Sequence, residues 1–196
     1  TESFGRASTG YYRVRISYTI AERHTVSLLY APLQFNFKGN FDLNTRIGNT
    51  TFSPEENVDL NYTFNSYRLT YRFAWVDEGK FRFGIGLTAK VRDAQIEVTS
   101  EESSASSDDL GFVPLLHFRA AYNFNDQWGI LARGDALVGD QGRAEDVFIG
   151  GTFSPAPNQT VKLGYRVLEG GADVDQVYNF SLIHYAAVAY RIELPL

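Results

Sequence analysis

Three histidines are the side chains of this 196-residue chain with an unperturbed pKa near neutrality, and no cysteine is present to act as a thiolate. A catalytic base needs its nucleophile within hydrogen-bond reach. His24 follows Arg23 in a short turn, far from any candidate Ser–acid pair. His117 stands mid-strand beside Phe118 and Arg119, with no serine two positions on. His184 follows Ser181 by three, a spacing that places the two on opposite faces of a strand. No set of histidines and carboxylates has metal-ligand spacing. The glycines of "FGIGL" (83–87) do not read as a phosphate loop; Gly84 and Gly86 are expected in a strand, making room for large neighbours. These residues predict a chain that is not an enzyme and takes no cofactor or metal.

The pattern that must position any site is alternation with period 2. In "FNSYRLTYRFAWVDEGKFRFGIGLTAKVRDA" (64–94), Tyr67, Leu69, Tyr71, Phe73 and Trp75 share one parity, and Arg68 and Arg72 sit on the other. After Asp77–Lys80 the alternation resumes, with Phe81 to Val91 on one face and Arg82, Lys90 and Arg92 on the other. This is a hairpin with one apolar and one cationic face. The same texture predicts strands at 11–20, 25–38, 62–76, 80–98, 112–124, 128–138, 145–154, 160–168 and 177–193. The apolar parity changes at Ala31–Pro32 and again near Arg92–Ala94, where bulges are expected to absorb an extra residue. No helical period competes, so the fold class is all-β.

Composition narrows the setting. The chain is 44% hydrophobic and 15% aromatic, with a net charge of −5, and it has neither Cys nor Met. Mild acidity argues against nucleic acid as a partner. A chain opening Thr1-Glu2-Ser3 reads as a mature product whose targeting segment has been removed. No run of 18 apolar residues exists, so no transmembrane helix is expected.

The connections alternate. Those at 20–25, 76–80, 124–128 and 154–160 are short; those at 39–61, 99–110, 139–146 and 169–176 are longer or more charged and hold 14 of the 23 acids. Aromatic residues gather near the short turns: Tyr18, Trp75, Phe81, Phe124, Trp128 and Phe153. Twelve of the 18 cations lie on polar parity: Arg13, Arg15, Arg68, Arg72, Arg82, Lys90, Arg92, Arg119, Arg133, Lys162, Arg166 and Arg191. Loop asymmetry, one aromatic girdle and sorted charge together predict an antiparallel up-and-down transmembrane β-barrel with a cationic lumen, rather than a soluble barrel with an apolar interior. Nine strands are legible and bacterial barrels have even numbers, so ten are expected, with residues 1–8 as part of the tenth; eight is the runner-up.

At these residues the chain resembles the small bacterial outer-membrane β-barrels of the OmpA, OmpX, OmpW and PagP types. "LLYAPL" (28–33), "FNSYRLTYR" (64–72), "TAKVRDAQI" (88–96), "GFVPLLHF" (111–118) and "YRVLEGGADVDQVYNF" (165–180) are similar to stretches of uncharacterised outer-membrane proteins. The resemblance covers most of the chain. It implies the bacterial outer membrane, with its lipid and lipopolysaccharide as surroundings, and carries no catalytic residues. One departure is the end, Ile192-Glu193-Leu194-Pro195-Leu196, where such barrels have an aromatic residue.

The expected role is structural or binding. A narrow anion-favouring pore is the alternative, and a lipid-modifying enzyme a second one. The lumen is expected to be filled by its own side chains, with a small anion as a possible occupant. Asp135 is expected to bond Arg72, Arg119, Arg133 or Arg166. The 39–61 segment, with Phe41, Leu43, Ile47, Phe52, Val58 and Leu60, is expected to extend the hairpin or form a contact surface. The acidic, serine-rich 99–111 segment is expected to be a mobile solvated loop.

Overall fold

The computed structural model describes residues 9–139, 142–174 and 177–195. Those residues form strands and no helix: β1 (Val14–Ile20), β2 (His24–Ala31), β3 (Gln34–Gly39), β4 (Thr45–Ile47), β5 (Thr50–Phe52), β6 (Val58–Glu78), β7 (Phe81–Thr99), β8 (Ser104–Asn123), β9 (Trp128–Gly139), β10 (Gly142–Ala156), β11 (Gln159–Val174) and β12 (Val177–Ile192). The main sheet runs β1-β2-β6-β7-β8-β9-β10-β11-β12, with β3 also pairing β6; β4 and β5 form a separate hairpin. Each of the nine expected strands is present. The expected strand 25–38 is split at Pro32–Leu33 into β2 and β3, which is why the sheet counts ten strands. Residues 1–8, where a further strand was expected, lie outside the described residues.

The short turns follow their local chemistry. Ala21 and Glu22 take positive φ between β1 and β2, and Gly79 does so between β6 and β7. The Asn125 side chain accepts from the amides of Gln127 (2.9 Å) and Trp128 (2.8 Å), closing the β8–β9 turn. The connections expected to be long are mostly strand instead. β7 and β8 meet through Ser100–Ser103, where the Ser100 amide donates to the Ser103 carbonyl at 2.8 Å. The 99–111 segment is therefore no free loop: from Ser104 on it is part of β8, because β7 continues far enough to pair with it. Likewise β9 and β10 run to Gly139 and from Gly142, and β11 to Val174.

The chain packs as two compact units. The first takes in the chain up to Ile16, Leu28–Arg68 and Lys90–Val113; the second takes in Ser17–Ser27, Leu69–Ala89 and Pro114 onward. The first unit has an apolar core of Phe52, Val58 and Val98, joined by Phe41, Ile47, Leu60, Ile96 and Ala105. Here the 39–61 segment folds as an extension with its own core, and Ala105 of the acidic segment packs against it. In the second unit Ala121, Leu131 and Phe148 cluster, with Ala187 against them.

The expected bulges are absent. In Arg23–Ala74, Leu33–Phe64 and Gly39–Val58 the two residue numbers add to 97 each time, so no residue is inserted at Pro32. The buried parity also persists through each switch: Thr25, Ser27, Leu29, Ala31 and Leu33 on the β2 side, Val58, Ser66, Arg68 and Thr70 on β6, Thr88, Lys90 and Val98 on β7. What changes is the chemistry of the two faces. Within the first unit, the exposed face of β2, β6 and β7 carries Leu28, Tyr30, Tyr67 and Val91 on one side of the switch. On the other it carries Gln34, Asn36, Lys38, Asp59, Asn61, Gln95 and Glu97. The covered face reverses in step, from Ser66, Arg68 and Lys90 to Phe64, Leu60, Val58, Ile96 and Val98. The β8 strand follows, with Leu110 and Phe112 giving way to Asp108, Ser106 and Ser104. The switch falls at one level across these neighbours, as the Leu33–Phe64 backbone pair and the Asn65–Asp93 side-chain bond (3.3 Å) show. Beyond it the exposed polar side chains bond one another: Gln34 Nε2 donates to Asn61 Oδ1 at 2.8 Å, and Lys38 pairs with Asp59 at 3.0 Å. Within the first unit these strands are apolar-out on one side of this level and polar-out on the other.

Candidate functional site

Of the cations and the acid singled out by sequence, all but Arg82 and Arg191 are buried or half-buried. In the second unit the site centres on Asp135, which is buried on β9. The register places His117 of β8 opposite Asp135, and Asp146 of β10 opposite it on the other side. Asp135 Oδ1 accepts from His117 Nδ1–H and from Thr88 Oγ1, each at 2.7 Å. Because Thr88 gives its proton to the carboxylate, Thr70 donates to Thr88 across 2.8 Å. Thr88 of β7 reaches β9 past the intervening β8, so the face is concave here. Asp146 is bonded by Arg166 of β11, whose guanidinium also lies 5.6 Å from the Phe148 ring centre. Two carboxylates directly opposite one another repel, and the donors gathered on each offset that repulsion.

The Thr88 hydroxyl points its proton at the Asp135 carboxylate, and His117 meets the same oxygen. His24 and His184 instead pair with the hydroxyls of Tyr71 and Tyr165 at exposed positions. Among the described residues no group of three or more His, Asp or Glu converges as a metal site.

The remaining cations are distributed over both units. In the first, Arg68 is buried and its Nε donates to Ser66 Oγ at 3.1 Å; Lys90, also buried, holds Nζ 5.2 Å from the Phe64 ring centre. Arg92 pairs with Asp109, and Arg13 donates to the Tyr11 hydroxyl at 3.3 Å, with Arg15 half-buried nearby in sequence. In the second, Arg72 Nη2 donates to Thr25 Oγ1 at 2.8 Å, and Arg133 stands opposite Arg119 in the β8–β9 register. Arg82, expected in the interior, has a side chain half exposed near the β6–β7 turn, 3.5 Å from Asp77.

Of the aromatic residues, Tyr18, Trp75, Phe81, Phe124 and Trp128 are exposed and Phe153 is half-buried, its ring 4.5 Å from that of Trp128. The expectation for Asp135 named only arginines as donors, and His117 and Thr88, which both bond it, were not among them. His117 was set aside as a base, yet it is a partner of Asp135, and Asp146 was counted among the acids of the 139–146 connection although the expected strand 145–154 includes it. The alternation of 112–124 puts His117 on the polar parity of β8; the cross-strand register that brings it to Asp135 is not visible in one strand. Comparison with protein-family models, with curated proteins and with solved structures found no match for this chain.

Proposed function

We propose that the chain is an integral outer-membrane β-barrel with a cationic, self-filled interior and a structural or binding role, not an enzyme. The observation that carries this reading is the reversal of both faces at one level of β2/β3, β6, β7 and β8. A protein wholly in water hides its apolar face everywhere; one that crosses a bilayer shows an apolar face to lipid and returns to the ordinary arrangement where water begins. The dimensions agree. The exposed apolar run of β6, residues 67 to 75, spans about 23 Å at a rise of ~3.3 Å per residue and a tilt of ~40°, close to the ~25 Å apolar band of such barrels. The 21 residues of β6 are far more than a crossing needs, so the strand extends beyond the band into the Phe52–Val58–Val98 core. Burial of Thr70, Thr88, His117, Asp135 and Asp146 favours a filled interior. The resemblance to small outer-membrane barrels supports the same assignment.

Refolding into detergent micelles and lipid vesicles tests it. The expected result is a folded species that needs detergent or lipid and migrates faster than the heated chain in mild SDS. A stable soluble monomer without either contradicts it. A second reading, a narrow anion-favouring pore, is favoured by Arg119 and Arg133, two cations opposite one another in the β8–β9 register. Planar-bilayer conductance with reversal potentials separates the two: silence supports the filled interior, anion-selective current the pore.

A further inference from the structure

We propose that the covered face of the first unit binds a flat aromatic carboxylate, its charge held by Arg68 and Lys90 and its ring by Phe64, Tyr62 and Phe35. Two side-chain bonds join β6 to β7, Thr70–Thr88 at 2.8 Å and Asn65–Asp93 at 3.3 Å, and in both the residue numbers add to 158. Arg68 and Lys90 add to the same value, so the register sets them directly opposite one another. Both are buried. Like charges placed opposite on neighbouring strands repel, and an anion shared between them offsets that repulsion. At the covered positions of β6 (58–70) and β7 (88–98) the charged side chains are Arg68, Lys90 and Arg92, with no carboxylate among them; Arg92 pairs with Asp109 of β8. A guanidinium fork beside an ammonium presents N–H groups to both oxygens of one carboxylate.

The ring half of the ligand is read from the residues beside these charges. Lys90 Nζ lies 5.2 Å from the centre of the Phe64 ring, and Arg68 Nε donates at 3.1 Å to the hydroxyl of Ser66, the next covered position after Phe64. On the other side of Phe64 comes Tyr62, its ring centre 6.2 Å away, and Phe35 of β3 stands opposite Tyr62 in the register. These three rings are only half-buried, whereas Phe52 and Val98 of the same unit are fully covered. A run of part-exposed rings that ends at two buried cations fits a ligand with a flat apolar body and one charged end. An inorganic anion has no use for the rings, and a neutral aromatic none for the cations.

This deepens the proposed binding role and rests on that reading for the interior character of the face. The full chain, refolded in non-ionic detergent, is titrated with naphthoate, with its neutral counterpart naphthamide and with inorganic phosphate at matched ionic strength. Calorimetry reads the affinity and thermal unfolding the midpoint. Naphthoate is expected to bind the wild type and raise its midpoint, with naphthamide and phosphate weaker by about tenfold or more. Its affinity is expected to fall about tenfold or more in Lys90→Met and in Tyr62→Leu. It should be unchanged in Arg82→Gln, whose half-exposed side chain lies near the β6–β7 turn. If Lys90→Met does not refold, naphthamide on the wild type carries the test of charge. No binding of naphthoate by the wild type, or binding by Lys90→Met or Tyr62→Leu equal to the wild type, overturns the site. Naphthamide or phosphate binding as tightly as naphthoate overturns the assignment to an aromatic carboxylate. Migration in mild SDS is scored on the same samples, so loss of the site is told apart from failure of the barrel reading.

Discussion

His117 and Asp135 face one another across β8 and β9, with Nδ1 2.7 Å from Oδ1 and both side chains buried. The same oxygen holds the Thr88 hydroxyl, so one carboxylate organises donors from β7 and β8. Asp135→Ala removes the acceptor shared by a buried imidazole and a buried hydroxyl, which is expected to cost about 3 kcal/mol. Asp135→Asn keeps an acceptor oxygen and should cost about half as much. Urea unfolding in micelles measures both. A loss below ~0.5 kcal/mol for the alanine variant would mean that water fills this part of the interior.

The two faces of β7 make opposite demands on one substitution. Leu87 is 63% exposed on the apolar stretch, and Gln95 is exposed on the polar one. Leu87→Arg near the middle of the band is expected to cost about 2–4 kcal/mol in lipid, whereas Gln95→Arg should stay within ~0.5 kcal/mol. Equilibrium unfolding from vesicles provides the comparison. Equal costs at the two positions would remove the distinction between them.

Phe52 is fully buried at the centre of the first unit's core. Phe52→Ala is expected to cost about 3 kcal/mol through the cavity it leaves. Backbone exchange should rise at 45–60 and 96–105, where the packing partners lie, while the Asp135 network keeps its protection. Uniform loss of protection throughout the chain would contradict an extension with its own core.

Glu56 accepts the Ser53 amide at 2.9 Å, and that bond, followed by the Ser100 hydroxyl, lowers its pKa below the ordinary 4.5. A carboxyl depressed in the folded state contributes fully above its unfolded value, and the contribution is lost as pH falls through the lower folded value. Protection of the Ser53 amide, corrected for intrinsic exchange, should therefore hold from neutral pH down to 4.5 and fail only in stronger acid. In Glu56→Gln it should no longer vary with pH over this range. Protection that decays already between neutrality and 5 would assign the turn to another group.

The strands were legible because exposed and covered residues alternate on either side of the 77–80 turn in 64–91, and hairpin chemistry at Gly79 and Asn125 punctuates them. The changes of parity at Pro32 and Arg92–Ala94 were legible too, but their cause was not. An inserted residue and a reversal of environment leave the same mark on a one-dimensional pattern, and only the constant register of β3 and β6 separates them. The segment 99–111 misled because its exposed face is acidic and serine-rich, while its strand comes from pairing, with Ala105 packed inward. Asp135 was found as an interior acid; its partners were missed because they come from neighbouring strands whose register no local spacing encodes.

The level at which both faces reverse is best tested by placing single nitroxide labels along the exposed parity. The chain contains no cysteine, so each label site is unique. Cysteines are introduced one at a time at Leu69, Ile85, Leu87, Asn61, Gln95 and Glu97, and collisional accessibility to oxygen and to a water-soluble nickel chelate is measured in vesicles. The predicted result is high oxygen and low nickel accessibility at 69, 85 and 87, with the opposite at 61, 95 and 97 and the crossover between 91 and 95 on β7. Nickel accessibility as high at 87 as at 95 would contradict the membrane reading directly.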